Sequence, residues 1–185
     1  MPILITLAII LGGFIILVAM RPSDFRVTRS ITVDAPREAV FEQVNDLHNW
    51  ESWSPWAKLD PNAKTTYEGP SAGVGAAFAS SGNSKIGEGR MTITESRPNE
   101  LVRFKLDFVK PFKGTNTAEF TFRPEGRQTA VQWTMSGKCN FIAKAMGLFV
   151  NCDKMIGAQF QKGLAEMKLL AEAAAATQQL RSRAA

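Results

Sequence analysis

The chain has 185 residues, a formal net charge of +5, a pI near 9.4 and 45% hydrophobic residues. That length provides one domain with a sizeable core plus a short appendage, and neither internal repeats nor a second domain are visible. The basic residues are scattered singly rather than gathered into a stripe, which argues against nucleic acid as a partner and fits modest attraction to anionic headgroups.

The appendage comes first. Ile3 to Met20 is an uncharged run interrupted only by Thr6, Gly12 and Gly13. As a helix it spans about 27 Å, just short of a ~30 Å hydrocarbon core. No Lys or Arg precedes it, and Leu17-Val18-Ala19-Met20-Arg21-Pro22 is a poor cleavage site, so residues 1–22 read as a transmembrane anchor rather than a signal peptide. A buried core helix would show a polar face, and this run shows none. Arg21, Arg26, Arg29 and Arg37 all follow the span. The positive-inside rule therefore places the domain in the cytoplasm, below an inner (plasma) membrane. Cys139 and Cys152 agree as two reduced, small hydrophobes, although a periplasmic disulfide is the alternative.

Residues 23–176 form the domain, and 177–185 a polar tail. Phe25 to Val33 alternates apolar and polar residues as a strand covered on one face. Asp34 is the expected cap of a short helix carrying Pro36, Glu38, Val40, Phe41 and Val44. Trp50, Trp53 and Trp56 follow at a spacing of three, which puts their rings on one face of a 3₁₀-like segment. Pro55 keeps Ser54 out of the α region and so prevents a long helix there.

After a turn at Asp60-Pro61-Asn62, strands are expected at Lys64–Glu68, Val74–Phe78, Ile86–Glu95, Leu101–Val109, Thr115–Arg123 and Thr129–Ser136, with Ser80–Ser84 as a hairpin loop. Each alternates, as in an antiparallel meander with one face in water. A short helix over Phe141–Phe149 precedes a long one capped by Asn151, whose Cys152, Met155, Ile156, Phe160, Leu164, Met167 and Leu170 form one stripe. The fold class is α+β: a curved antiparallel sheet around a long C-terminal helix, with an N-terminal transmembrane helix.

Several strings in this order are distinctive. They are Arg29-Ser30-Ile31 with Ala35-Pro36, Trp50-Glu51-Ser52-Trp53-Ser54-Pro55-Trp56 with Asp60-Pro61, Gly82-Asn83 and Gly87-Glu88-Gly89-Arg90-Met91-Thr92-Ile93. Lys144 to Phe149, Met155-Ile156-Gly157 and Gly163-Leu164 complete the set. Residues 25–172 thereby resemble the SRPBCC superfamily, the helix-grip fold of START-like lipid carriers, pollen-allergen relatives and polyketide cyclases. The strings are most similar to its membrane-anchored bacterial branch, labelled polyketide cyclase or dehydrase-like. The resemblance implies the fold more strongly than an activity.

The covered face is rich in aromatic and methionine side chains. Phe78, Met91, Phe104, Phe108, Phe120, Phe122, Trp133, Met135, Met155 and Phe160, with Trp56 and Tyr67, are the expected lining of an apolar cavity between sheet and long helix. The chain then reads as a membrane-tethered binding protein for a hydrophobic small molecule or lipid, a quinone or a polyketide-like compound. A cyclase or dehydratase acting by confinement is the alternative, with Arg29, Tyr67, Ser80 and Asn83 as its few polar groups. A ligand-free interaction module is a third reading. No catalytic device is recognisable: His48 is the single histidine, and nothing pairs it with either cysteine. One histidine and two distant cysteines make no metal site, and no cofactor is expected. Glu88 is a candidate acid or base only if a bulge at Gly87 turns it inward; alternation points it to solvent.

Overall fold

The apolar run forms one helix, α1 (Pro2–Ala19), long and apolar enough to cross a membrane and exposed along nearly its whole length. It leads within a few residues into β1 (Asp24–Val33). The structure is a computed structural model that describes residues 2–60, 62–84, 86–111 and 113–184. After β1 come α2 (Arg37–Asn45), a 3₁₀ turn (Leu47–Asn49) and α3 (Trp50–Trp53). Six strands follow: β2 (Lys64–Glu68), β3 (Ala77–Ser81), β4 (Glu88–Arg97), β5 (Leu101–Lys110), β6 (Gly114–Glu125) and β7 (Gln128–Lys138). The chain closes with α4 (Phe141–Met146) and α5 (Cys152–Ala184), which carries the helix through the segment read as a polar tail.

All neighbouring strands are antiparallel, in the order β1-β7-β6-β5-β4-β3-β2. Because side chains alternate along a strand, the register fixes rows across the inner face. One row reads Val102, Phe120, Trp133, Arg29, and the next Ile93, Phe104, Ala118, Met135, Val27. A third reads Tyr67, Phe78, Met91, Leu106, Asn116, Gly137, Phe25. Against these rows lie the buried faces of α2 (Ala39, Val40, Phe41, Val44) and α5 (Phe160, Leu164, Met167, Ala171, Ala175). The outer face is polar, where Arg103 pairs with both Glu95 and Glu119.

Two glycines let α5 come close. A Cβ at Gly163 would sit 2.9 Å from Pro55 Cδ and 3.1 Å from the Trp133 ring. At Gly157 it would fall inside the Arg29 guanidinium, which donates to the Asp153 carboxylate (2.9 Å) and backbone carbonyl (3.0 Å). Asn151 caps α5 as expected, its side-chain oxygen accepting from the Lys154 N–H (2.9 Å).

Some boundaries differ from the sequence expectation. Asp34 does not cap α2: the cap position is Pro36, and the Asp34 N–H instead donates to Glu172 (2.7 Å). β3 begins at Ala77 rather than Val74, because Gly73 and Gly75 hold φ of 78° and 90°, outside any strand. Ser80 and Ser81 consequently belong to β3 and not to the loop. α4 ends at Met146, three residues short of Phe149. The turn expected at Asp60-Pro61-Asn62 includes Pro61, outside the described residues; the Asp60 carboxylate accepts from the Asn62 and Asn83 N–H groups (3.0 and 2.7 Å).

Candidate functional site

The tryptophan segment is built from its backbone outward. The Asp46 carboxylate accepts from the His48 N–H (2.9 Å) and starts the 3₁₀ turn, which runs directly into α3. Pro55 then holds Ser54 extended (φ −63°, ψ 126°), so the helix stops after one turn. The consequence is a division of labour among the three rings. Trp50 and Trp53 are buried, and their indole N–H groups donate to the Val44 and Gln43 carbonyls (both 2.9 Å). Their rings meet Phe120 edge-on at 5.8 and 6.1 Å, and Trp133 at 6.0 and 5.8 Å.

Trp56, beyond the proline, is half-buried and reaches Trp133 (5.7 Å) and Phe160 (6.1 Å) edge-on. Among the described residues nothing accepts from its indole. It forms one wall of a cleft of about 80 Å³ between α3 with its following turn and the β2–β3 edge. Leu47, Trp50, Ala57, Tyr67, Phe78 and Ile86 supply the apolar lining; Glu51, Ser54, Thr65 and Ser80 supply the polar part.

Tyr67 organises the polar part. Its hydroxyl donates to Glu51 (2.7 Å), and its ring stacks on His48 at 4.1 Å. Burial, and then the hydrogen bond to the Glu51 carboxylate, hold the phenol protonated well above the ordinary tyrosine range. His48 Nδ1 lies 3.0 Å from the Asp46 carboxylate. The arrangement offers a ring-sized apolar slot with a neutral phenol already committed to a carboxylate. Among the described residues no three His, Cys, Asp or Glu side chains gather as a metal site.

The residues singled out from sequence fall into three places. Phe104, Phe120, Phe122, Trp133, Phe160, Met91 and Met135 are buried, packed with one another and with Trp50 and Trp53. Trp133 stacks on Phe160 with centroids 4.0 Å apart and planes 5° off parallel. These side chains pack against one another between sheet and α5, where an open cavity was expected, and a cleft lies at the β2–β3 edge. Trp56, Tyr67 and Phe78 line that cleft. Phe108 and Met155 do neither: they are 40% and 56% exposed, at the end of β5 and in the first turns of α5.

Glu88 is partly exposed and pairs with Lys110 (2.7 Å), and a register shift occurs beside it. Leu47, Ala57, Ala63 and Ile86 were not singled out from sequence; the cleft gathers them from three separate segments, and no local pattern marks them. One further feature emerges only in three dimensions. The Trp133 indole N–H is buried with no acceptor among the described residues.

Comparison with known proteins agrees with this architecture. No curated protein sequence matches the chain. A protein from Chromobacterium violaceum superposes with a TM-score of 0.58 at 17% identity, over 82% of this chain and 99% of that one. The di-domain ARO/CYC StfQ of the steffimycin biosynthetic pathway gives 0.61 at 11% identity over 83% of this chain, which spans about half (52%) of StfQ. Ara h 8.0201 gives 0.53 at 8% identity, over 83% of this chain and 99% of that one. At such identities the likeness concerns the fold alone. The family model described as polyketide cyclase / dehydrase and lipid transport matches residues 24–172, essentially everything after α1, and the chain belongs to that family.

Proposed function

We propose that the chain is a membrane-tethered binding protein for a hydrophobic small molecule, with α1 as its anchor and the domain on the cytoplasmic side. The observation that carries the reading is the cleft at Trp56, Tyr67 and Phe78, apolar on its walls and polar at Glu51 and Ser80. Ligand pockets combine apolar walls with a few convergent polar groups, and typically enclose ~300–1,000 Å³. The resting cleft is smaller than that (about 80 Å³) and accepts a single ring. Trp56 is the side chain that opens it further. Trp50 and Trp53 are tied to backbone carbonyls, whereas Trp56 follows the helix-ending Pro55 and rests edge-on against its neighbours. A ligand that displaces it takes its place beside the stacked rings of Trp133 and Phe160.

Fluorescence titration of the full chain in nanodiscs tests this. Two probes serve: 2-naphthol, a fused two-ring molecule, and a long-chain fatty acid. Naphthol is expected to quench the tryptophan emission saturably, and Ala57→Trp, which fills the cleft from its wall, to abolish the response. Saturable quenching that survives Ala57→Trp overturns the cleft as the site. Tethering is tested separately: the chain should stay with membranes through alkaline carbonate, and its release would overturn the anchor.

A further inference from the structure

We propose that the rim of the domain around α4 is a lipid-facing surface, seated in the headgroup layer of the same membrane that α1 crosses. The inference rests on the tethering just proposed and adds how the domain is held once tethered.

The register brings one end of the sheet to α1. Phe108 pairs with Gly114, Asn116 with Gly137, and Asp24 with Lys138, so β5 and β7 end where β6 and β1 begin. The Cys139 N–H donates to the Ser23 carbonyl (2.6 Å), and α4 starts immediately beyond. α4 packs against α1, and Val18 of α1 is fully buried. The link between α1 and β1 is only Met20–Ser23, which extends to about 14 Å at most. The domain therefore cannot leave the bilayer surface, and this rim is the part nearest to it.

What the rim presents suits that place. Ile142, Met146, Phe149 and Val150 project outward from α4 and the turn after it, and Phe149 is 81% exposed. Phe108 and Val109 of the β5 end and Met155 of α5 are exposed on the same side. Apolar side chains grouped in this number at one end of a domain are seldom left in water. Lys113, Lys138 and Lys154 are exposed around them, as an anionic leaflet would favour. The acidic groups nearby are largely spoken for: Asp153 pairs with Arg29 and Glu88 with Lys110. An exposed apolar tip flanked by lysines is the arrangement of an interfacial anchor, and the occupant it fits is lipid rather than a folded partner.

The full chain, with Cys139→Ser and Cys152→Ser, is reconstituted in phosphatidylcholine–phosphatidylglycerol nanodiscs. An environment-sensitive fluorophore is attached to single cysteines at Phe149→Cys, at Asn99→Cys on the opposite end of the sheet, and at Ile10→Cys within α1. Spin-labelled lipid is the quencher. The expected result is blue-shifted, quenched emission at positions 10 and 149, and solvent-like emission at 99. Quenching at 149 without quenching at 10 would keep the lipid-facing rim and overturn the tether. Emission at 149 equal to that at 99 overturns the rim, whatever position 10 reports. A second arm adds Ile142→Ser and Met146→Ser, both exposed side chains, to the labelled Phe149→Cys chain. The blue shift should then diminish while the thermal unfolding profile stays put, and an unchanged blue shift counts against the proposal.

Discussion

The two ends of the grip are built from the same kinds of residue and behave differently. Toward the hairpin turns at Arg97–Glu100 and Glu125–Gln128, the aromatic rows are roofed by α2, α3 and α5, and Phe104, Phe120 and Trp133 are sealed. Toward the end where α1 enters, Tyr67, Phe78, Leu106 and Phe25 are only partly covered, and Phe108 and Met155 are open. Strand alternation is the same at both ends. What differs is whether a helix passes overhead, so an inward-pointing residue becomes core only where it has a partner layer.

Breaking the sealed end has the largest expected effect. Trp53→Ala removes a fully buried ring together with its bond to the Gln43 carbonyl, and should destabilise the domain by about 3–5 kcal/mol in denaturant unfolding. Gly163→Ala forces a methyl between Pro55 and Trp133 and should cost about 1–3 kcal/mol; a neutral result would mean that α5 slides freely over the sheet.

At the open end the same chemistry should matter less. Trp56→Ala, at a half-buried ring, is expected to lose only about 1–2 kcal/mol while strengthening naphthol binding. A loss as large as that of Trp53→Ala would erase the contrast between the two ends. Tyr67 is the single tyrosine, so its ionisation is read directly from ultraviolet absorbance. Its phenol is held protonated above the ordinary value near 10 by burial and by Glu51. The raised value favours the neutral form in the fold, so its stabilising contribution is complete below pH ~10 and is lost as pH rises beyond it. Glu51→Gln should bring the titration back down. The smallest effect is at Asp153, whose carboxyl is held below the usual range by Arg29. That contribution is present at neutral pH and fades in acid, and Asp153→Asn should flatten it in a pH series of unfolding midpoints.

The elements were largely legible because alternation and the α5 stripe are local signals. Asn151 was a readable cap since its neighbours already formed a helix. Asp34 was misread because Pro36, with ψ of 153°, begins the helix later than the acid can reach. Val74 looked like a strand residue but lies between two glycines in the left-handed region. The site was half legible. Trp56, Tyr67 and Phe78 stood out as aromatics, yet whether the inner face is hollow depends on how Trp50 and Trp53 fill it. Nor did the glycines at 157 and 163 declare what they touch: one admits an arginine head, the other a proline and a ring.

The unpaired indole of Trp133 bears on ligand choice. A buried N–H without an acceptor carries a standing penalty of roughly 1–3 kcal/mol. The nitrogen belongs to the ring in the middle of the aromatic stack that Trp56 meets edge-on. Under the proposed binding role, a guest that displaces Trp56 and brings an oxygen to this nitrogen would relieve that penalty, and a pure hydrocarbon of equal size would not. On the proposed binding role, naphthoquinone is then expected to bind more tightly than naphthalene in the same fluorescence titration.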